Sequence, residues 1–245
     1  MSIGGMRYRN DGRTPGQMRP VNIQMDVQKW ATASLIWKQG DTHVLCSATV
    51  EDRVPPFLRG KGSGWVTAEY AMLPTATSER MQRESVKGKL GGRTYEIQRL
   101  IGRSLRGVVD TSTMGEKTVT VDCDVIQADG GTRCASITGG FIALSLALRK
   151  AGLERAVTSK IAAISVGIVE ATPLLDLEYT EDSSAEVDFN VVGTDSGTYV
   201  EVQGTAEGKP FDREGMDALL ALADNGLQQL FKIQDTVLAG ESAET

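Results

Sequence analysis

"DGGTRCASITGGFIALSLALRKAG", residues 129–152, runs from a glycine turn into a long apolar segment. Asp129, Gly130 and Gly131 are turn residues, and the apolar run over 135–152 is typical of a buried helix. Arg133 stands at the start of that helix, where the positive end of the helix dipole makes a cation unfavourable unless an anion lies beside it. Glycine-turn N–H groups, a helix N-terminus and an arginine together predict an anion-binding site.

Outward from this stretch, the chain places groups of strands between helices. KTVTVDCDVIQ, at 117–127, alternates with period two, as expected for a strand with one buried face. The other predicted elements are strands at 33–52, paired about Gly40-Asp41, and at 64–73, a helix at 94–110, two strands at 159–180 with a turn near Thr172-Pro173, a hairpin at 185–208 with its turn at Asp195–Gly197, and a helix from Asp212 to about Ala239. This order predicts an α+β fold in which sheets are backed by helices.

The size and composition of the chain are those of a soluble globular protein. Its 245 residues allow one large domain or two small ones. No apolar run reaches the ~18–20 residues of a membrane span, and the polar start lacks the apolar region of a signal peptide. Cys46, Cys123 and Cys134 are widely spaced and indicate neither a zinc site nor a disulfide framework. We expect a cytoplasmic protein with no membrane partner.

Charge is distributed unevenly along the chain, whose formal net charge is −6. Residues 53–106 contain 11 Lys/Arg and 4 Asp/Glu, whereas residues 170–245 contain 3 and 17. Within the basic segment, Arg99, Arg103 and Arg106 share one face of the predicted helix. The pattern indicates either a local basic site beside an acidic one or two solvated faces of opposite charge.

A second pair of glycines precedes an arginine at a helix start. KGKLGGR, at 87–93, places Gly91 and Gly92 directly before Arg93. The arrangement resembles the one before Arg133, and we expect both arginines to converge on one anion. The planar guanidinium suits phosphate because it donates two parallel hydrogen bonds. For either segment alone, a glycine turn with a surface arginine is the alternative.

An acidic segment supplies candidate cation ligands. DLEYTEDSSAEVDFN, at 176–190, contains six carboxylates. Asp188 lies between Val187 and Phe189 in a strand pattern, so at least one carboxylate is positioned to point inward. A carboxylate pair is a suitable ligand set for a hard cation such as Mg²⁺. The alternative is an acidic surface loop.

No side chain stands out as a nucleophile. His43 is the only histidine and lies in a strand pattern, which argues against Ser–His–Asp and Cys–His chemistry. Arginines, glycine turns and carboxylates without a nucleophile fit a reaction in which the substrate supplies it. Phosphoryl transfer to or from inorganic phosphate is such a reaction.

The chain resembles the ribonuclease PH family of phosphate-dependent 3′-exoribonucleases from about Arg13 to Ala239. The matching stretches are MRPV, GDTHVLCSATVE, GKGSGWVTAEYAMLP, GGRTYEIQRLIGRSLR, DCDVIQADGGTRCASITGG, ISVGIV, DLEYTEDSSAEVDFNVV and EVQGTAEG. The resemblance implies two lobes of the ribosomal protein S5 domain 2-like fold within one domain, residues 13–240. It also implies a homohexamer built as a trimer of dimers. We expect the short ends, 1–12 and 241–245, to be mobile.

Carried over by position, the resemblance also implies site residues. The phosphate site falls on Arg93, Gly131, Thr132 and Arg133, of which Arg133 is also catalytic, and the catalytic or metal-binding aspartates fall on Asp182 and Asp188.

The family's RNA-contacting loop falls on MLPTATSERMQRES, residues 72–85, with Arg80 and Arg83. Arg99 is a further expected RNA contact. Thr75 stands where some members of the family have another arginine.

The activity that the resemblance implies is trimming of the 3′ end of tRNA precursors. Inorganic phosphate would attack, nucleoside diphosphates would leave, Mg²⁺ or Mn²⁺ would assist, and nucleotide addition would be the reverse reaction. Processing of rRNA is a related expectation. Three alternatives remain: an exosome-core-type ring subunit that needs a partner, a non-catalytic RNA-binding ring, and an unrelated phosphate-binding metabolic enzyme.

Overall fold

The computed structural model describes residues 9–240 in full and only the backbone of 2–3 and 6–7. The strands in this part of the chain are β1 Ser2–Ile3, β2 Met6–Arg7, β3 Val21–Met25, β4 Ala33–Gln39, β5 Thr42–Glu51, β6 Trp65–Met72, β7 Thr118–Gln127, β8 Ile161–Val169, β9 Thr172–Leu175, β10 Val187–Thr194 and β11 Tyr199–Ala206. The α-helices are α1 Glu84–Lys87, α2 Gly92–Arg106, α3 Thr132–Lys150, α4 Tyr179–Asp182 and α5 Arg213–Leu238. Single 3₁₀ turns occur at Pro56–Leu58, Thr111–Met114 and Glu154–Ala156.

Two sheets form the frame of the molecule. The first has the strand order β3-β4-β5-β7-β6, with β6 and β7 parallel and the other pairs antiparallel. The second has the order β11-β10-β8-β9 and is antiparallel throughout. A parallel pair needs a crossover connection, which α2 provides while packing against β6. The predicted α+β class, with sheets backed by helices, is confirmed.

The central helix α3 lies between the two sheets, packed against β4, β5 and β7 on one side and β8 on the other. It is buried around nearly its whole circumference, as expected for a helix without a polar face. Gly139 and Gly140 let it approach the first sheet closely. A Cβ on Gly139 would lie 2.9 Å from Cys46 Sγ and 3.1 Å from Trp37 Cβ. The packing therefore fixes the position of the α3 N-terminus relative to both sheets.

The helix predictions are confirmed with shifted ends. α3 begins at Thr132, three residues before the predicted start, so Thr132 and Arg133 belong to its first turn. α2 ends at Arg106 rather than near residue 110. Asp212 caps α5 as predicted, because its side chain accepts a 2.8 Å hydrogen bond from the Gly215 N–H.

The predicted turn near Thr172-Pro173 is wrong by two residues. Glu170 and Ala171 form the turn with positive φ values of 48° and 58°, while Thr172 and Pro173 lie in β9. Proline is tolerated there because β9 is an edge strand, where one side of the backbone is not needed for pairing. The strand β3, which the sequence analysis does not identify, is likewise a short edge strand.

The first fully described residue, Arg9, is anchored to the segment around α4. Its guanidinium donates to both carboxylate oxygens of Glu181, and to the backbone oxygens of Leu175 at 2.5 Å and Asp176 at 2.8 Å. Of the segments expected to be mobile, residues 1–8 lie outside the part whose side chains are described, and 241–245 lie outside the described residues. The domain start expected at residue 13 lies within the segment that begins at Arg9, which is already bonded to the segment around α4.

No helix in the described part of the chain is both long and apolar enough to span a membrane.

Gly130 provides a test of how closely the glycine turn fits against the segment before α4. Its φ is +73°, and a Cβ there would lie 2.5 Å from the Leu177 carbonyl oxygen, whereas Gly152, at φ +72°, has no atom within 4 Å of such a Cβ. Gly152→Ala should lower the free energy of unfolding by about 1–2 kcal/mol through the left-handed backbone alone. Gly130→Ala should lower it by roughly 1–3 kcal/mol more, because the Leu177 backbone must move. Urea denaturation measures both, and equal losses would contradict the close fit.

Candidate active site

The six residues predicted for the phosphate and metal sites line one cavity of about 460 Å³: Arg93, Gly131, Thr132, Arg133, Asp182 and Asp188. They come from four separate parts of the fold, namely α2, the start of α3, the end of α4 and β10. The two arginines therefore line the same cavity, while their convergence on one anion stays a prediction.

A larger cavity, of about 640 Å³, lies along β6 and β7 and contains none of these six residues. Its lining includes Glu69, Asp122 and Asp124. Burial, followed by the charge of Glu69, raises the pKa of both aspartates. An anionic substrate would be repelled there, so the smaller cavity is the candidate active site.

The glycine turn exposes the start of α3 to this cavity. Gly130 and Gly131 both have positive φ, +73° and +66°, a conformation that glycine adopts without strain. Gly131 is the N-cap, and no side chain caps the helix. The first-turn N–H groups have no intrahelical acceptor. Together with the helix dipole, these N–H groups make the turn suited to an anion.

The start of α2 differs from the start of α3, and the predicted likeness of the two segments is wrong for the backbone. Gly91 has an extended conformation with φ −71°, and Gly92 does not have a positive φ. The carboxylate of Glu84 already accepts hydrogen bonds from the Gly91 N–H at 2.9 Å and the Thr94 hydroxyl at 2.8 Å. No side chain caps the first turn of α2, but the negative charge of Glu84 beside this N-terminus disfavours an anion there. Arg93 is the residue of this helix start that lines the cavity.

The two arginines are held differently. Arg93 is exposed and forms no hydrogen bond or ion pair with another described residue. Arg133 Nη1 donates to the side-chain oxygen of Gln203 and lies 3.4 Å from Glu96 Oε1. Glu96 and Gln203 thus orient Arg133 from α2 and β11, a role that local sequence patterns do not reveal.

Asp182 and Asp188 experience both the cost of burial and the charges of their neighbours. Burial raises the pKa of Asp182, as does the charge of Asp188, while Arg93 and Arg133 oppose the rise. Burial also raises the pKa of Asp188, against the opposing charge of Arg133. A bound cation would relieve the mutual repulsion of two ionised carboxylates.

The carboxylate pair fits one mode of magnesium binding. Within residues 9–240, no cluster of three or more His, Cys, Asp and Glu side chains forms a complete metal cage. Mg²⁺ often binds one or two carboxylates and completes its octahedron with water and substrate phosphates. Asp182 and Asp188, which share a cavity with the anion site, suit that mode.

Asn190 also lines the cavity, although it is not among the predicted residues. Its Nδ2 donates to Asp188 Oδ1 at 3.2 Å, while Cys134 Sγ donates to its Oδ1 at 3.3 Å. The available signal was its position two residues after Asp188 in a strand, which places both side chains on one face. Burial raises the pKa of the Cys134 thiol, so this cysteine is a structural donor rather than a nucleophile.

Tyr70 is a second missed residue, and it supports the first turn of α3. Its hydroxyl lies 3.0 Å from the Thr132 hydroxyl in a buried hydrogen bond. Burial raises the pKa of Tyr70, which keeps the phenol protonated.

The loop predicted to contact RNA forms one wall of the cavity. Thr77, Ser78 and Met81 line the cavity, whereas Arg80 and Arg83 are exposed and are not among its lining residues. The backbone of Ala76 anchors the loop by accepting a 2.8 Å hydrogen bond from the Ala128 N–H.

The three arginines predicted to share one face of α2, here called the arginine stripe, differ in their contacts: Arg103 and Arg106 are bonded within the described part of the chain, and Arg99 is not. Arg103 forms a 2.6 Å ion pair with Glu201. Arg106 donates to the Val66 carbonyl at 2.8 Å and lies over the ring of Trp65. Arg99 is exposed and has no such contact with the described residues, so it is the member of the stripe that remains available to a ligand.

Solved structures with low sequence identity share this fold. A rice Rrp46 structure superposes with a TM-score of 0.77 at 19% identity, covering 94% of this chain and 100% of that one. An Archaeoglobus fulgidus exosome structure with RNA bound to the active site gives a TM-score of 0.77 at 21% identity, with 92% of each chain covered. At these identities, the similarity shows the fold alone.

Sequence comparison identifies the family. The profile of the "3′ exoribonuclease family, domain 1" matches residues 17–154, and that of domain 2 matches residues 160–226. Ribonuclease PH of Syntrophomonas wolfei is 57% identical over 235 residues, which is 94% of this chain and 98% of that protein. Because both family domains match in order and a relative is similar over nearly its whole length, this chain belongs to the RNase PH family of 3′ exoribonucleases.

Proposed function

We propose that this chain is a phosphorolytic 3′-to-5′ exoribonuclease that trims tRNA precursors, a tRNA nucleotidyltransferase. The observation that carries the proposal is the convergence of an uncapped helix N-terminus, two arginines and two carboxylates in one cavity. The first two features suit a phosphate, and the carboxylates suit the cation that phosphoryl transfer requires. The similarity to a protein named Ribonuclease PH supports the same activity.

The site performs this reaction chiefly by positioning and charge neutralisation. Inorganic phosphate binds at the first turn of α3, between Arg93 and Arg133. An oxygen of that phosphate attacks the phosphorus of the terminal nucleotide, and the bond from phosphorus to the preceding 3′ oxygen breaks. The products are a nucleoside 5′-diphosphate and an RNA shortened by one nucleotide with a free 3′ hydroxyl. The proton of the attacking hydrogen phosphate balances the one that the 3′ oxygen gains. One phosphorus–oxygen bond, in the diphosphate, forms as another, in the phosphodiester, breaks, so the free-energy change is small and the reverse addition is also expected.

The remaining protein groups hold the RNA end and the cation. Arg133, already oriented by Gln203 and Glu96, is the group best placed to stabilise charge that develops during transfer. Asp182 and Asp188 would hold Mg²⁺ or Mn²⁺. Such a cation, when bound, supplies charge neutralisation at the scissile phosphodiester. Asn190 keeps the Asp188 carboxylate in one orientation.

We further propose a cytoplasmic homohexamer, a trimer of dimers, acting on the 3′ ends of tRNA precursors and other RNA such as rRNA. The 57% identity to a Ribonuclease PH, against 21–22% to chains of exosome structures, favours this assembly over an exosome-type subunit that needs a partner. The complete set of arginines and aspartates in the cavity argues against a non-catalytic RNA-binding ring.

The proposed nucleophile has a direct test. A 3′-extended tRNA incubated with the protein and Mg²⁺ should be shortened only when inorganic phosphate is present, and the products should be nucleoside diphosphates. Chromatography of the mononucleotides identifies them. Nucleoside monophosphates formed in phosphate-free buffer would contradict phosphorolysis.

Removing the side chain of Arg133 should lower the rate without unfolding the protein. A charge-assisted hydrogen bond contributes about 1.5–3 kcal/mol, so Arg133→Ala should reduce phosphorolysis by roughly tenfold to a hundredfold. Arg155→Ala provides a control at an exposed arginine outside the cavity. RNA binding measured without phosphate should be similar in both variants. Near-normal phosphorolysis by Arg133→Ala would exclude Arg133 from the site.

Neutralising the carboxylates should separate activity from stability. Asp182→Asn and Asp188→Asn should each lower turnover by roughly a hundredfold or more and weaken its Mg²⁺ dependence. Because the folded-state pKa of each aspartate is raised, its contribution to stability is lost as pH rises through that pKa. The asparagine variants escape this loss and should be at least as stable as the wild type at pH 7 without Mg²⁺.

Mg²⁺-dependent kinetics and urea denaturation at several pH values measure both effects. Glu186→Gln is the matched control, since Glu186 belongs to the same acidic segment but does not line the cavity. Normal turnover in both asparagine variants would place the metal elsewhere.

Arg80 and Arg83 should bind the body of the tRNA rather than its 3′ end. Both are exposed beside the cavity, and contacts of this kind go to phosphates without reading sequence. Arg80→Ala/Arg83→Ala should weaken binding of a tRNA precursor and lower the salt slope by about one or two. A short single-stranded oligonucleotide should be degraded almost as before. Equal losses on both substrates would instead assign the two arginines to the catalytic cavity or to assembly.

A further inference from the structure

A buried group of charges lies beneath the candidate active site and has no part in the proposed reaction. Its members are Arg9, Arg13, Arg19, Asp176 and Glu181, each no more than 8% exposed. Charges are rarely buried unless they are paired, so the contacts of each arginine show what the group holds together.

Arg19 bonds to both of two adjoining segments that contribute residues to the cavity. In one segment, its Nε and Nη2 donate to the two carboxylate oxygens of Asp176, at 3.0 and 2.6 Å. In the other segment, its Nη1 donates to the backbone oxygen of Asp129 and lies 3.5 Å from the Asp129 carboxylate. Asp129 opens the glycine turn of the anion site, and Asp176 precedes α4, which ends at Asp182.

The contacts around Arg19 belong to the same joint. The Thr42 hydroxyl donates to the Gly130 oxygen at 2.7 Å and accepts from the Asp129 N–H at 3.1 Å. The Asp129 carboxylate accepts a 3.2 Å hydrogen bond from the Tyr179 N–H, at the start of α4. The glycine turn and the start of α4 therefore pack against each other, and the Arg19 guanidinium bonds to Asp129 on one segment and to Asp176 before the other.

Asp176 is held in a conformation that depends on this joint. Its φ of +55° is uncommon for a residue other than glycine. Burial would raise the pKa of Asp176, but the charge and hydrogen bonds of Arg19 outweigh burial and lower it. The carboxylate therefore stays ionised, and its orientation is determined by Arg19.

We infer that Arg19 is a positioning residue that fixes the anion-binding turn relative to the segment carrying Asp182. This inference rests on the proposed function, since it takes the glycine turn as the phosphate site. A displacement of about 1 Å at a reacting centre can cost roughly a hundredfold in rate. A residue that fixes the distance between two binding groups should therefore affect both phosphate affinity and turnover, without touching either substrate.

Arg13 supplies a matched control within the same buried group. It is as buried as Arg19, at 6% against 5% exposed. It donates to the backbone oxygens of Asp176 at 2.9 Å and Gln17 at 3.1 Å, and it also lies 3.6 Å from the Asp176 carboxylate and 3.8 Å from the Glu181 carboxylate. It has no contact with the glycine turn among the described residues. A change at Arg13 perturbs the buried charges while leaving the joint to Asp129 intact.

The experiment compares Arg19→Lys with Arg13→Lys. Lysine keeps the charge but, as a point donor, cannot span Asp176 and Asp129 as the guanidinium does. Calorimetric titration with inorganic phosphate should show that Arg19→Lys binds phosphate about tenfold or more weakly, while Arg13→Lys stays near the wild-type affinity. Steady-state kinetics should show a raised KM for phosphate and a lowered kcat for Arg19→Lys alone. Urea denaturation verifies that both variants are folded.

Thr42→Val is a second variant that changes no charge. It removes the hydroxyl that makes two hydrogen bonds to the glycine turn, one to the Gly130 oxygen and one from the Asp129 N–H. Their loss should weaken phosphate binding by about fivefold or more. If Arg19→Lys does not fold, unchanged phosphate affinity in Thr42→Val overturns the inference. It is also overturned if folded Arg19→Lys binds phosphate normally, or if both lysine variants lose affinity equally. Absence of phosphate binding to the wild type would refute the proposed function itself.

Discussion

The N–H groups in the first turn of α3 need hydrogen-bond acceptors, and the packing of α3 between the two sheets decides where those acceptors must lie. α3 is buried along its length, so its N-terminus is fixed rather than free to move toward solvent. No side chain caps it, and the preceding glycines take left-handed conformations that leave the N–H groups available. An anion bound there would satisfy N–H groups that the fold itself leaves without acceptors. The other features of the site are arranged around this turn.

The charges of the cavity are balanced only when its substrates are considered together. Arg93 and Arg133 provide positive charge for a phosphate, while Asp182 and Asp188 have pKa values raised by burial. Phosphate and a divalent cation would each satisfy one half of the cavity, and each would also neutralise the other. The two halves come from different sheets and helices, so their separation depends on tertiary packing and on the few polar contacts that join them.

The acidic segment 176–190 illustrates how one run of carboxylates is divided between structure and chemistry. Asp176 is buried against Arg19, and Glu181 is buried against Arg9. Asp182, the next residue along, lines the cavity instead. Removing one partner of a buried ion pair is strongly destabilising, so Asp176 and Glu181 contribute to the stability of the fold. Asp182 instead lowers the stability when it ionises, because burial raises its pKa. Neighbouring carboxylates therefore have opposite relations to stability.

Local patterns in the sequence predicted the elements that carry the site, because helix and strand periodicity, turn residues and caps act within a few positions. The alternation of 117–127, the glycine turn before Arg133 and the cap at Asp212 are all present in the structure. The edge strand β3 was not predicted, and the turn at 170–171 was predicted two residues too late, because short edge elements give little periodicity.

Local patterns indicated Arg93, Arg133 and Asp188, and the family resemblance supplied the rest of the site, but that these residues line one cavity is decided by the tertiary structure. Sequence alone could not show that the Glu84 carboxylate lies beside the N-terminus of α2, or that Arg103 and Arg106 already have partners within the protein. It could not distinguish Asp182 from Glu181, its neighbour in the same helix. Arg19 and Asp176 are 157 positions apart, and no local pattern relates them. Which residue types were present was determined by the sequence; which of them meet was decided only by packing, because contacts between distant segments depend on how the sheets and helices assemble.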